Sequence, residues 1–129
     1  FPDNSFDIVV NIESSHCYAD VPAFAREVSR VLAPGGWFTF ADMRSKTMLD
    51  ELETQLAVPG LVQAQAHDIS LGVVAALDAA EARKRKRIGK AWLMRPFLTE
   101  FAGAKNSMLY QALAGQRVIY TARRYQKIG

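Results

Sequence analysis

Apolar positions follow two rhythms along this chain. Phe6 to Ile12 (FDIVVNI) is nearly continuous apolar and β-branched, interrupted by Asp7 and Asn11. Such a run predicts a strand covered on both faces, as in a parallel sheet. Pro2, Asp3, Asn4 and Ser5 ahead of it are turn formers. Helical spacing follows at Val21, Phe24, Val28, Val31 and Leu32, with Asp20 as N-cap and Pro22 in the first turn. Pro34-Gly35-Gly36 stops that helix. Trp37 to Ala41 reads as the next strand, with Asp42 at its end.

Ser45 is placed to cap a second helix, with Met48, Leu49, Leu52 and Leu56 on its apolar side and Asp50, Glu51 and Glu53 in water. Pro59-Gly60 ends it. Leu61 to Ile69 alternates loosely, as a strand does. Ser70 caps a long helical stretch toward Trp92, and Leu98 to Ala114 reads as short helical pieces around Gly103. Arg117 to Tyr125 is a last strand. The alternation argues an α/β layered fold in one domain. The stretch from Ile12 to Trp37 is long enough for a right-handed crossover between parallel strands.

With 129 residues, half of them hydrophobic, the chain can bury a core. No apolar run reaches the ~20 residues of a membrane span, and no signal-peptide pattern is present. Cys17 is the single cysteine and forms no internal disulfide, which points to a reducing cytoplasm. Its expected place is as a small buried hydrophobe. The chain begins at Phe1 without an initiator Met, so a fragment is expected. The net charge of +3 hides an asymmetry. Residues 1–82 hold 4 Lys/Arg against 12 Asp/Glu, and residues 83–129 hold 12 against 1.

Ligands of open α/β sheets bind beyond the carboxyl ends of parallel strands. Glu13, Ser14, Ser15, His16, Cys17 and Tyr18 lie there after the first strand, and Asp42 and Arg44 after the second. Adjacent parallel strands would bring His16 and Asp42 over one pocket. The residues alone also admit His16 as a surface residue and Asp42 as a cap of the next helix. His67 sits inside a strand-like run and reads as a sheet residue. Two distant His, one Cys and scattered carboxylates do not make a metal-ligand spacing.

"FPDNSFDIVVNIESSHCY", the helix end "REVSRVLAPGG" and "WFTFADM" resemble the second half of a class I S-adenosylmethionine-dependent methyltransferase. The nearest subgroup is the small-molecule O-methyltransferases acting on lipids, polyketides and sugars, and the likeness covers essentially the whole chain. It implies the C-terminal half of a Rossmann-like fold, with strands 4 and 5 parallel, the last strand antiparallel and helices on both faces. The Gly-rich loop after strand 1 and the acidic residue after strand 2 do not occur here. The chain therefore reads as a partial domain, 1–129, that lacks the first cofactor-binding strands. Residues 71–115 would form a substrate lid within it.

The resemblance implies S-adenosylmethionine as cofactor and a small hydrophobic or glycosylated hydroxyl compound as acceptor. Asn11, Ile12, Glu13 and Ser14 fall where the family passes its backbone beneath the methionine part of the cofactor. Glu13 would bind the amino group or orient the loop. His is the natural base near neutral pH. The implied pair is His16 as base and Asp42 as its partner or second base.

Two features allow another reading. Phe6 to Ile12 would be an unpaired sheet edge, which invites a homo-oligomer or a strand-swapped assembly. The run Arg83 to Lys90 (RKRKRIGK) reads first as a solvated helix face, because five consecutive charges wrap around a helix, and it alternatively suits an anionic partner or peripheral contact with anionic lipid. Nucleic acid is not favoured, because no aromatics interleave with these charges. The alternative function is thus a non-catalytic truncated module that oligomerises or binds such a partner.

Overall fold

The computed structural model describes residues 1–88 and 107–129, the side chains of residues 81–88 excepted. The elements in chain order are β1 (Phe6–Ile12), α1 (Val21–Val31), β2 (Leu32–Ser45), α2 (Leu49–Leu56), β3 (Leu61–Asp68), α3 (Ser70–Ile88), α4 (Met108–Ala114) and β4 (Val118–Lys127). The strands form one sheet in the order β1-β2-β4-β3. β1 and β2 are parallel, and β4 runs antiparallel to both β2 and β3. This is the strand arrangement implied by the resemblance.

Local chemistry sets the first crossover. Asn4 and Ser5 donate their amides to the carbonyls of Arg30 and Val31, which pins the entry of β1 to the end of α1. Asp20 Oδ1 accepts from the Ala23 amide at 2.7 Å, the N-cap expected from its position, with Pro22 in the first turn. Val21, Ala25 and Val28 then bury against Leu32, Phe38 and Phe40 of β2 and Leu52 and Leu56 of α2. Phe38 is the centre of an aromatic chain, with Phe24 at 5.9 Å, Phe40 at 6.1 Å and Tyr125 at 5.8 Å between ring centroids. Burying each such side chain contributes about 1.5–3 kcal/mol, so this layer carries the fold.

Several expectations are corrected. α1 ends at Val31, just ahead of Pro34-Gly35-Gly36, but these three residues lie inside β2 rather than in a turn before it. The glycines let the strand bend where β1 shifts register between Phe6 and Ile8. Gly36 leaves no room for a side chain unless the backbone shifts: a Cβ there would sit 2.8 Å from the Ala33 carbonyl oxygen and 2.9 Å from that of Asp7. β2 does not stop at Ala41 but continues to Ser45, because β4 pairs with it from Trp37 to Ser45. Asp42 is therefore inside a strand, opposite Thr121, and caps no helix.

Neither serine caps as expected. The Ser45 hydroxyl bonds Thr47 Oγ1, while Ser70 is itself the first residue of α3. There the Asp68 side chain accepts from the Ser70 amide, and Ser70 Oγ accepts from the Tyr120 amide, tying α3 to β4. Cys17 is exposed, not buried, because it ends a single turn that projects from the sheet.

β1 is covered on one face only. Val9 packs on the core, but Ile8, Val10 and Ile12 on the opposite face are 61%, 59% and 58% exposed among the described residues. α3 and α4 pack on each other and on β4. The side chains of Arg83 to Arg87 lie outside the described residues, as do residues 89–106 within the 71–115 segment, Lys90, Trp92, Pro96 and Gly103 included. No described helix is long and apolar enough to cross a membrane.

Candidate active site

β1 stops at Ile12, level with Ala41, while β2 runs on. The chain leaves the sheet through Glu13, whose amide still donates to the Ala41 carbonyl at 2.9 Å. Glu13 has a φ of 55°, a left-handed conformation that a side-chain-bearing residue rarely adopts. Such strain persists where surrounding bonds over-determine it and clusters at functional loops. A 3₁₀ turn, Ser15–Cys17, follows and folds over the end of β2.

Beneath that turn lies Asp42, completely buried. Its Oδ2 accepts from Ser15 Oγ at 2.6 Å and from the His16 amide at 2.9 Å. Its Oδ1 lies 2.7 Å from His16 Nδ1 and accepts from the Met43 amide at 2.8 Å. Arg44 Nη1 stands 3.3 Å from Oδ2. Burial alone would raise this carboxyl group, but the Ser15 hydroxyl, the His16 ring and the Met43 and His16 amides outweigh it and hold it at about 2. Asp42 is ionised, and an ionised carboxylate only accepts. His16 Nδ1 therefore carries the hydrogen, and a neutral ring leaves Nε2 with its lone pair.

His16, Ser15, Tyr18, Val21, Met43, Arg44, Met48 and Val118 are among the residues lining a cavity of about 390 Å³. The lining is largely apolar, and among the described residues the imidazole, 34% exposed, is the one basic group in it free to take a proton. Asp42 lies behind it, fully enclosed. On the other side, burial followed by the Glu13 and Asp42 carboxylates pushes the phenol of Tyr120 on β4 up. Tyr120 stays neutral at any physiological pH.

The structure thus brings His16 and Asp42 together, as the sequence implied. Asn11, Ile12, Glu13 and Ser14 line the exit of β1 as one stretch. Asn11 is buried in the strand and its Nδ2 donates to the Tyr18 hydroxyl at 2.8 Å, which Ser14 also meets at 3.0 Å. His67 is an exposed strand residue on β3, opposite Ala122. Ser15, Arg44 and Tyr120 belong to the site without having been assigned a part in it. For Arg44 a signal existed: Asp42 and Arg44 are two apart on a strand and so share a face.

The residues suit the methionine end of S-adenosylmethionine. Asn11 Oδ1 is buried without a donor among the described residues, an uncommon state for a buried acceptor. Beside it stands the exposed carboxylate of Glu13. An ammonium group only donates, so hydrogen-bond acceptors and a negative charge are what it requires.

A methyltransferase domain model matches residues 1–40, which hold β1, the strand-end loop, α1 and the first part of β2. The phthiotriol/phenolphthiotriol dimycocerosates methyltransferase of Mycobacterium leprae is 33% identical over 129 residues, 98% of this chain and 48% of that protein. A fatty-acid O-methyltransferase of Mycolicibacterium smegmatis is 37% identical over 111 residues, 83% of this chain and 40% of the relative. The chain spans about half the length of these curated relatives or less. Among solved structures, phosphoethanolamine N-methyltransferase 2 of Haemonchus contortus superposes with a TM-score of 0.78 at 15% identity, over 100% of this chain and 35% of that one. At that identity the likeness speaks for the fold alone. Strand order, the loop after β1 and these matches together identify the chain as part of a class I S-adenosylmethionine-dependent methyltransferase.

Proposed function

We propose that the protein carrying this chain methylates a hydroxyl group of a small, largely apolar acceptor, with His16 as the general base. The observation that carries this reading is the His16–Asp42 pair at 2.7 Å at the mouth of an apolar cavity. S-adenosylmethionine, when bound, supplies the activated methyl group. The work of the chain is to hold the acceptor oxygen and to remove its proton. His16 Nε2 takes that proton as the oxygen forms its new bond, and Asp42 steadies the imidazolium so formed. Asn11, Ile12, Glu13 and Ser14 would hold the methionine end of the cofactor.

The base helps to choose between acceptor classes. A carboxylic acid is already ionised at neutral pH and needs no base to become a nucleophile. An alcohol does. A built His–Asp pair therefore favours an alcohol or phenol over a carboxylate. Of the two relatives, one is named for a triol lipid and the other for a fatty acid; the pair points to the first kind. The experiment is transfer of labelled methyl from S-adenosylmethionine to a long-chain alcohol and to the matching fatty acid, with the parent protein and His16→Gln. Transfer to the alcohol should fall about 10²–10⁴-fold in the variant. An unchanged rate would remove His16 from the mechanism, and transfer to the acid alone would reverse the acceptor class.

A second reading attaches to β1. Among the described residues no strand lies beside its outer edge, and three large apolar residues stand exposed on one face. Such an edge supports self-association through β1, in line with a module that assembles rather than catalyses.

A further inference from the structure

We propose that Ser15 and Arg44 are positioning residues that hold the Asp42 carboxylate in the one orientation which puts the imidazole proton on Nδ1 and turns Nε2 toward the acceptor. The inference rests on His16 acting as the base and adds how the base is kept in its reactive form. Arg44 Nη2 lies 2.7 Å from Ser15 Oγ and can only donate to it. The Ser15 hydroxyl hydrogen is thereby committed to Asp42 Oδ2, 2.6 Å away. The chain of bonds has one direction, from guanidinium to hydroxyl to carboxylate.

Arg44 is fixed in turn. Its Nη1 donates to the Met43 carbonyl at 2.7 Å and stands beside Asp42 Oδ2, and its side chain is only 7% exposed. A planar fork with three neighbours cannot turn without losing two of them. With Oδ2 occupied by Ser15, the His16 amide and Arg44, the carboxylate can offer the ring only Oδ1. The same arginine balances the buried negative charge. The imidazole then meets a directed hydrogen-bond acceptor rather than an uncompensated anion.

Without Ser15 Oγ, Arg44 Nη2 has no acceptor there and would draw the carboxylate toward itself. Oδ1 would swing off the ring, and the Nδ1–H form would lose its anchor. Without Arg44, the Ser15 hydroxyl is free to rotate and the carboxylate is free to follow it.

The test needs neither cofactor nor acceptor. Ring-nitrogen chemical shifts of the ¹⁵N-labelled 129-residue chain, above pH 8, report which nitrogen of each histidine carries the proton. Exposed His67 on β3 serves as the reference in the same spectrum. The parent His16 should be in the Nδ1–H form. Ser15→Ala and Arg44→Met should each shift the ratio toward Nε2–H by about tenfold, the worth of one hydrogen bond to a charged group. Ser15→Thr should restore the parent ratio. A parent His16 protonated on Nε2 overturns the proposal even if no variant folds. So does an unchanged ratio in variants whose amide spectra remain folded. Failure here leaves the methyl-transfer assay intact, and an inert His16→Gln effect in that assay leaves the tautomer result standing.

Discussion

Asp42→Asn isolates the energetic role of the buried acid. In the folded chain its carboxyl group is held at about 2, against an ordinary value of 3.8. The folded state thus binds this proton less well than the unfolded chain. The resulting stabilisation is complete above about pH 4 and is lost as pH falls through about 2. A depression of nearly two pH units corresponds to about 2 kcal/mol. The asparagine also leaves Arg44 enclosed without its counter-charge, and breaking a buried pair costs about 3–5 kcal/mol. At pH 5 the variant should therefore lose about 3–5 kcal/mol, read as a urea midpoint lowered by about 1–5 M at an m-value typical of small domains. At pH 2 the parent has surrendered about 2 kcal/mol of its advantage, so the gap between the two proteins should narrow by that amount. Tryptophan fluorescence during urea titration at the two pH values measures it. A gap that stays constant from pH 5 to pH 2 would refute the argument, because the bonds around Asp42 would then not be what holds its carboxyl group below the ordinary value.

Two further changes probe the scaffold. Gly36→Ala places a methyl group against two backbone carbonyls at 2.8 and 2.9 Å, so β1 and β2 must part, at about 1–3 kcal/mol. Gly35→Ala, at φ 80° with open space around it, should cost about 1–2 kcal/mol, from backbone strain alone; thermal melts that rank Gly35 as the costlier site would contradict the crowding argument. Val10→Lys puts a charge on the open face of β1 and should disperse any β1-mediated assembly in sedimentation velocity. A parent chain that already sediments as a monomer at ~100 μM would remove the self-association reading.

What could be read in the sequence was whatever depends on near neighbours. The N-cap at Asp20, the apolar stripe of α1 and the strand at β1 are local patterns, and all three are in place. The meeting of His16 and Asp42 was legible too, because parallel neighbours end side by side and both residues follow strands. The parts that escaped depend on distant pairing. β2 extends to Ser45 only because β4, far along the chain, lies against it, and nothing near Asp42 announces this. Arg44 was read as lying after a strand, where its side chain could point anywhere. As a strand residue it is forced onto the face of Asp42. The open face of β1 escaped for a related reason: an apolar run records what a strand is built to meet, not what covers it.

The offset between the two strand ends explains why the site has its form. Had β1 continued past Ile12, another strand would lie beside β2 at Asp42, its amides already used in the ladder. Because β1 stops and β2 does not, the carboxylate emerges under a loop whose amides and side chains are uncommitted. A fully enclosed anion must be given donors or it will take up a proton. The turn Ser15–Cys17 gives it a hydroxyl, an amide and a ring N–H within two consecutive residues, Ser15 and His16. Meeting that demand fixes the turn, and fixing the turn leaves one imidazole nitrogen facing the cavity. The energetic requirement of the buried acid and the geometric requirement of the base are satisfied by the same bonds, so loss of Asp42 should damage folding and proton transfer together.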